Sequence, residues 1–206
     1  EERHKGEPSA FLPATAFVSY AQNHDQAGNR PFGERLTHLV EPARARMWAS
    51  IYLLSPQIPM VFMGEEWAAR QPFLFFSDVG DDLADKIREV RKRELSEFPP
   101  SEGHGEPPDP MSEDTFRASK LDWDDREHGE HQAFLSLYRQ LIDLRKKQII
   151  PRLHGMGGHS GHYELLGEKV VSVRWTLGDG SHLSLMAKFS ADPARGINVP
   201  DKDVLW

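Results

Sequence analysis

Phe17-Val18-Ser19-Tyr20-Ala21-Gln22-Asn23-His24-Asp25-Gln26-Ala27-Gly28-Asn29-Arg30 is the stretch on which the reading of the fold turns. Residues 17–21 suit a buried strand. They end abruptly in an amide, an imidazole and a carboxylate standing side by side, with glycine close behind. In parallel α/β folds, the loops that leave the carboxyl ends of strands build the active sites. A carboxylate in such a loop, with hydrogen-bonding neighbours, suits a polyhydroxyl ligand or a developing cation. On the plainer reading Asp25 caps a turn or a following helix, as aspartate often does.

Outward from this loop the pattern alternates. Residues 42–54 read as a helix, with Pro42 in the first turn and Ala43, Met47, Ile51 and Leu54 at helical spacing on one face. Pro56-Gln57 breaks it. Residues 58–63 form a short apolar run that suits a second buried parallel strand, with Pro59 near its start where a missing donor costs little. Gly64-Glu65-Glu66-Trp67 leaves that strand as another loop. Residues 1–16 read as a connecting loop, and residues 71–77 as apolar but irregular. Residues 81–98 read as a strongly charged helix, its inner face marked by Leu83, Ile87, Val90 and the Glu94-Leu95 pair, the rest a solvated face. Residues 99–114, dense in proline, glycine and acid, read as a loop. Residues 130–148 form the strongest helical pattern. Phe134, Leu137, Tyr138, Leu141, Ile142 and Leu144 make its apolar stripe, and Arg145, Lys146 and Lys147 suit its carboxyl end.

Composition changes near residue 149. Residues 153–161 mix glycine and histidine. Residues 169–175 and 182–189 then alternate apolar and polar, with Gly178-Asp179-Gly180 between them as a turn, which is a hairpin pattern. Strand–helix–strand–helix followed by antiparallel strands predicts an α/β fold with a domain boundary near residue 149.

Composition also excludes function classes. The chain has 206 residues and a net charge of −7, so no basic face for nucleic acid is expected. It has no cysteine, which rules out disulfides and thiolate zinc sites and fits a reducing, cytoplasmic setting. No apolar run reaches membrane-spanning length, so no membrane partner is expected. The chain opens Glu1-Glu2-Arg3-His4 without a methionine and ends on the apolar Val204-Leu205-Trp206, so a piece of a longer protein is expected.

Gln22-Asn23-His24-Asp25-Gln26 resembles the fourth conserved region of the α-amylase superfamily of glycoside hydrolases, where the Asn-His-Asp triplet follows the seventh strand of a (β/α)8 barrel. The resemblance extends through residues 29–36, 55–59, Phe62-Met63-Gly64-Glu65-Glu66-Trp67, Pro72-Phe73-Leu74-Phe75-Phe76-Ser77-Asp78 and Ser119-Lys120-Leu121-Asp122-Trp123. This ordered set is similar to the malto-oligosyltrehalose trehalohydrolase family. The resemblance implies the C-terminal part of a (β/α)8 TIM barrel, strands 7 and 8 with their helices, in residues 1–148. It implies the start of a C-terminal antiparallel β domain in residues 149–206.

The resemblance also implies the chemistry. Such enzymes hydrolyse the α-1,4-glucosidic bond next to the trehalose end of maltooligosyltrehalose, releasing trehalose with retention. An Asp nucleophile and a Glu general acid flank the bond. Asp25 matches a third carboxylate, which holds sugar hydroxyls and favours the oxocarbenium-like transition state. His24 matches the histidine that hydrogen-bonds the same ring. His24, Asp25, Gln26, Ala27, Gly28 and Asn29 match the substrate-contacting loop. No cofactor is implied. The nucleophile and acid motifs, which lie upstream in the family, are not found here. The chain is therefore expected to supply one wall of an active site and to hydrolyse nothing alone. Two other functions stay open: an α-1,4-glucan branching enzyme of the same superfamily, and a non-catalytic carbohydrate-binding module. The glutamine on each side of the triplet and residues 29–36 favour the hydrolase.

Other candidates are weaker. Adjacent residues leaving a strand point apart, so Glu65 and Glu66 read as rim or structural carboxylates rather than a catalytic pair. Trp67 either stacks on sugar or joins the core. His154, His159 and His162 share a loop without an acidic partner, and no metal site is expected. Gly155, Gly157 and Gly158 precede strands rather than a helix, unlike a phosphate loop.

Overall fold

In the computed structural model, which describes residues 6–96, 105–167, 169–190 and 203–206, Val18–Ser19 (β1) pairs in parallel with Ile58–Pro59 (β2). The Ile58 N–H donates to the Phe17 carbonyl and the Met60 N–H to the Ser19 carbonyl, both at 2.9 Å. The nitrogen of Pro59 therefore faces the other edge of β2, and its missing donor removes no bond to β1. The parallel pairing agrees with the sequence pattern; the burial does not. Val18 is 55% exposed and Ile58 50% exposed. Parallel strands are buried only where other elements cover both of their faces, and the described residues leave the Val18 and Ile58 face open while half-burying Ser19 and Pro59 on the other.

Six α-helices accompany the strands among the described residues: His24–Gly28 (α1), Leu36–Leu39 (α2), Pro42–Leu54 (α3), Asp81–Leu95 (α4), Glu113–Ala118 (α5) and Gly129–Leu144 (α6). Helix α3 has the bounds its sequence predicts, but its inner face differs. Ala45, Ala49, Tyr52 and Leu53 are buried, whereas Ala43 is exposed and Met47, Ile51 and Leu54 are half-buried. The helix is apolar on almost every side, so spacing alone does not select the face. Helix α4 is rotated in the same way. Leu83 and Val90 are exposed, while Ala84 and Arg91 are buried and Ile87 and Leu95 half-buried.

Helix α5 begins inside the stretch that reads as loop. Ser112 caps it by accepting the Asp114 N–H at 3.2 Å, and Glu113 and Asp114 fill its first turn. Residues 99–104 of that stretch lie outside the described residues, as do residues 97 and 98 of the expected charged helix.

Helix α6 buries Phe134, Tyr138 and Leu141 as its stripe predicts, then widens into a single π turn, Arg145–Ile149. Arg145 is not the surface partner of a helix end. It is buried, and its guanidinium donates to the carbonyls of Leu53 at 2.9 Å, Gln57 at 2.7 Å, Pro56 at 3.4 Å, and Ser55. These carbonyls belong to the end of α3 and the break before β2, where a helix leaves acceptors without intrahelical donors.

The later strands, Gly161–Leu165 (β3), Val170–Thr176 (β4) and His182–Lys188 (β5), form one antiparallel sheet in the order β3-β4-β5. The expected hairpin is β4–β5, with Val173 opposite Leu185 and Thr176 opposite His182. The sheet carries its own core of Met156, Trp175 and Leu177, packed against Ala14, Leu153, Val173, Leu183 and Leu185. The chain forms two compact units, one of Glu1–Ser19, Ala49–Met60 and Arg139–Trp206, the other of Tyr20–Trp48 and Val61–Tyr138. No helix among the described residues is long and apolar enough to cross a membrane.

Candidate functional site

The polar loop after β1 folds into α1 through its own side chains. The Asn23 Oδ1 accepts the Asp25 N–H at 2.7 Å, and the Gln26 Oε1 accepts the Asn23 N–H at 2.9 Å. This reciprocal capping box satisfies the donors that open the helix. Asn23, not Asp25, is therefore the cap, and the Asp25 carboxylate is left for other work. His24 Nε2 lies 3.2 Å from Asp25 Oδ1, with the side chains 70% and 65% exposed.

The short helix has a polar outer edge and a small inner one. His24, Asp25, Gln26 and Asn29 are exposed; Ala27 and Gly28 are buried. Of the six residues expected to contact a ligand, four present their side chains to solvent and two face inward. A Cβ at Gly28 would lie 3.6 Å from the Phe73 ring. Gln22 is also buried, and its Oε1 accepts the Leu36 N–H at 2.9 Å, tying the loop to the start of α2. Gly33 follows at φ +62°, where a Cβ would come within 2.5 Å of the Phe73 carbonyl, so only glycine fits this crossing. The Phe73 N–H donates to the Gly33 carbonyl at 2.8 Å.

The second loop, Gly64-Glu65-Glu66-Trp67, is held from within. Arg35 is fully buried, donating from Nη1 to the Met63 carbonyl and from Nε to the Gln71 carbonyl, both at 2.6 Å. One guanidinium thus grips both flanks of the turn. Burial works against its charge, and the Glu65 and Glu66 carboxylates favour it. The buried Glu65 accepts the Tyr138 hydroxyl at 2.8 Å, which is a structural role. Trp67 is core: it is buried, its ring centre lies 5.1 Å from that of Trp123, and its carbonyl is bonded to His131 Nδ1 at 2.8 Å. It has no open face for a sugar. His162 lies on β3 opposite Arg174, and no three His, Cys, Asp or Glu side chains among the described residues converge as metal ligands.

Sequence reasoning missed Gln22, Arg35 and Arg91. Gln22 was visible as part of the quoted motif, but nothing local distinguishes its buried amide from the exposed one of Gln26. What the geometry offers chemically is a carboxylate and an imidazole, side by side, on a turn whose backbone is fixed by its own caps. Both groups can take hydrogen bonds from vicinal hydroxyls, and the carboxylate can stabilise nearby positive charge.

The chain is similar to several known proteins. Residues 158–206 match a family described as a domain of unknown function, DUF3459. A solved structure described as a "Putative alpha Amylase from Salmonella typhimurium" is 38% identical, with a TM-score of 0.85, over 95% of this chain and 33% of that one. The malto-oligosyltrehalose trehalohydrolase of Deinococcus radiodurans is 41% identical over 191 residues, covering 90% of this chain and 30% of the relative. That of Saccharolobus solfataricus is 40% identical over 161 residues, covering 78% of this chain and 26% of the relative. That of Mycobacterium tuberculosis is 38% identical over 145 residues, covering 68% and 24%. The mixed helices and strands, with a three-stranded antiparallel sheet, make this an α-amylase-like chain. Within that class it is similar to the malto-oligosyltrehalose trehalohydrolases, and it spans 30% of the length of its Deinococcus relative.

Proposed function

We propose that this chain supplies one wall of the active site of a glycoside hydrolase that cleaves the α-1,4-glucosidic bond next to the trehalose end of maltooligosyltrehalose. Residues 1–148 are the last part of a (β/α)8 barrel, with β1 and β2 as its seventh and eighth strands, and residues 149–206 begin an antiparallel β domain. The parallel pairing of β1 with β2 supports the first assignment. The DUF3459 match, which lies wholly within residues 149–206, supports the second. The enzyme is cytoplasmic and works without a cofactor.

The observation that carries this reading is the His24–Asp25 pair, exposed on a self-capped turn directly after a parallel strand. In a retaining mechanism, one carboxylate attacks the anomeric carbon as a second carboxylic acid protonates the departing glycosidic oxygen, which leaves with the trehalose unit. Water, deprotonated by that same second group, then releases the sugar from the first. Neither group is matched by a residue of this chain, so the remainder of a longer protein provides both. Asp25 binds hydroxyls of the ring that becomes oxocarbenium-like, and its negative charge stabilises the cation more in the transition state than in the ground state. His24 donates to the same ring. Gln26 and Asn29 extend the polar edge, while Ala27 and Gly28 seat it.

Product analysis tests this. The longer protein, given maltooligosyltrehalose, is expected to release free trehalose, and residues 1–206 alone are expected to release none at any pH. Transfer of glucan to new branch points without trehalose would replace this reading with a branching enzyme. Trehalose release by residues 1–206 would overturn the account of the chain as one wall of a site.

A further inference from the structure

Helix α4 reads in sequence as a charged, solvated face, yet one of its arginines is buried beneath the candidate site. Arg91 is 6% exposed, and its Nη2 donates to the Gly28 carbonyl at 2.8 Å and the Arg30 carbonyl at 3.0 Å. Its guanidinium carbon lies 5.0 Å from the centre of the Phe75 ring, and its Nη1 lies 3.7 Å from the Glu94 carboxylate. Four groups from three segments therefore fix where this side chain sits.

The position matters because α1 is short. It has five residues, against the roughly 12–15 that make an isolated helix even marginal in water. Its conformation depends on what happens at its two ends. The amino end is closed by Asn23 and Gln26. At the carboxyl end the last carbonyls have no donors further along the helix. The residue that follows, Asn29, is right-handed at φ −81° and does not form the left-handed cap that would supply them. Arg91 supplies the donor instead, and its positive charge suits the negative end of a helix. A lysine would put a charge there, but it cannot stack a planar group on Phe75 while bridging two carbonyls with one nitrogen.

We propose that Arg91 is a positioning residue for the His24–Asp25 turn: from α4 it caps the carboxyl end of α1 and so fixes the direction in which the exposed carboxylate points. The catalytic meaning of that direction rests on the role given to Asp25 above; the clamp itself does not. A buried arginine that only stabilised the fold would loosen the whole molecule when removed. A clamp loosens α1 first.

Amide hydrogen exchange on residues 1–206 separates the two, because local opening is read residue by residue. Arg91→Met is expected to speed exchange of the Ala27, Asn29 and Arg30 amides by about tenfold or more, as loss of charge-assisted bonds predicts, with the amides of residues 134–138 in α6, which belong to the same compact unit, unchanged. Arg91→Lys is expected to show a smaller acceleration at the same three amides, and it gives the reading where the methionine variant does not fold. Unchanged exchange at those amides, or equal acceleration at residues 134–138, would overturn the proposal. In the longer protein Arg91→Met is expected to lower kcat by a larger factor than it changes KM. A longer protein that releases no trehalose even with Arg91 intact would refute the hydrolase reading while leaving the exchange result standing.

Discussion

The two strand systems of this chain are held in opposite ways. Strands β3, β4 and β5 form an antiparallel sheet with full-length ladders, a tight turn and a core of Met156, Trp175 and Leu177. Strands β1 and β2 pair over two residues each and leave Val18 and Ile58 open to solvent. An antiparallel sheet can stand with one face wet; a parallel pair depends on what covers and anchors it. Here the anchor is polar. Arg145 gathers the carbonyls of Leu53, Ser55, Pro56 and Gln57 immediately before β2. The loop that carries His24 and Asp25 leaves one strand of this weaker pair, and a buried arginine anchors the segment that enters the other.

The sharpest way to break this comparison is to remove that anchor. Arg145→Met strips four carbonyls of a common donor, and leaving buried acceptors unpaired is expected to cost about 3–5 kcal/mol. Urea unfolding monitored by circular dichroism should show the midpoint falling steeply. A midpoint close to that of the unsubstituted chain would mean that β2 does not depend on Arg145.

The antiparallel sheet predicts a much smaller effect at its turn. Asp179 Oδ1 accepts the Ser181 N–H at 2.9 Å and the Ser181 hydroxyl at 2.6 Å. These bonds from Ser181, helped by the charge of Arg152, hold its carboxyl below the ordinary aspartate range. A carboxyl whose pKa is depressed by folding contributes stability that is fully present above its unfolded pKa of about 3.9. That contribution is lost as pH falls through the folded value. Asp179→Ala is therefore expected to lower the urea midpoint slightly at pH 6, with the gap closing as the pH is taken well below 3.9. A gap that persists unchanged in acid would show that the turn does not use the ionised carboxylate.

Local pattern was enough for some of this. Helix α3 starts and stops where Pro42 and Pro56-Gln57 say it should, and the β4–β5 hairpin follows its alternation and its Gly178-Asp179-Gly180 turn. The parallel pairing of β1 with β2 and the polar loop between β1 and α1 were also legible. The inner faces of α3 and α4 were not. One helix is apolar nearly all round, and the other buries an arginine where Leu83 and Val90 look the better choices. Arginine is expected at the surface. Arg35, Arg91 and Arg145 are buried because their acceptors lie 36, 63 and 92 residues away in the chain. Periodicity is read over a window of about 11–18 residues, so no local signal marks such partners. Helix α5 was missed for a different reason: Ser112, Glu113 and Asp114 are a sound cap and first turn, but the proline and glycine before them made the stretch read as loop.

The role proposed for Asp25 is to stabilise the cationic transition state of glycoside cleavage. Turnover of maltooligosyltrehalose by the longer protein carrying Asp25→Asn tests it, since the substitution keeps size and shape, removes the charge and exchanges one acceptor oxygen for a donor. By comparison with the loss of other preorganised charge-stabilising groups, kcat should fall by about two to four powers of ten while circular dichroism and the urea midpoint stay unchanged. Near-normal turnover in that folded variant would contradict the account.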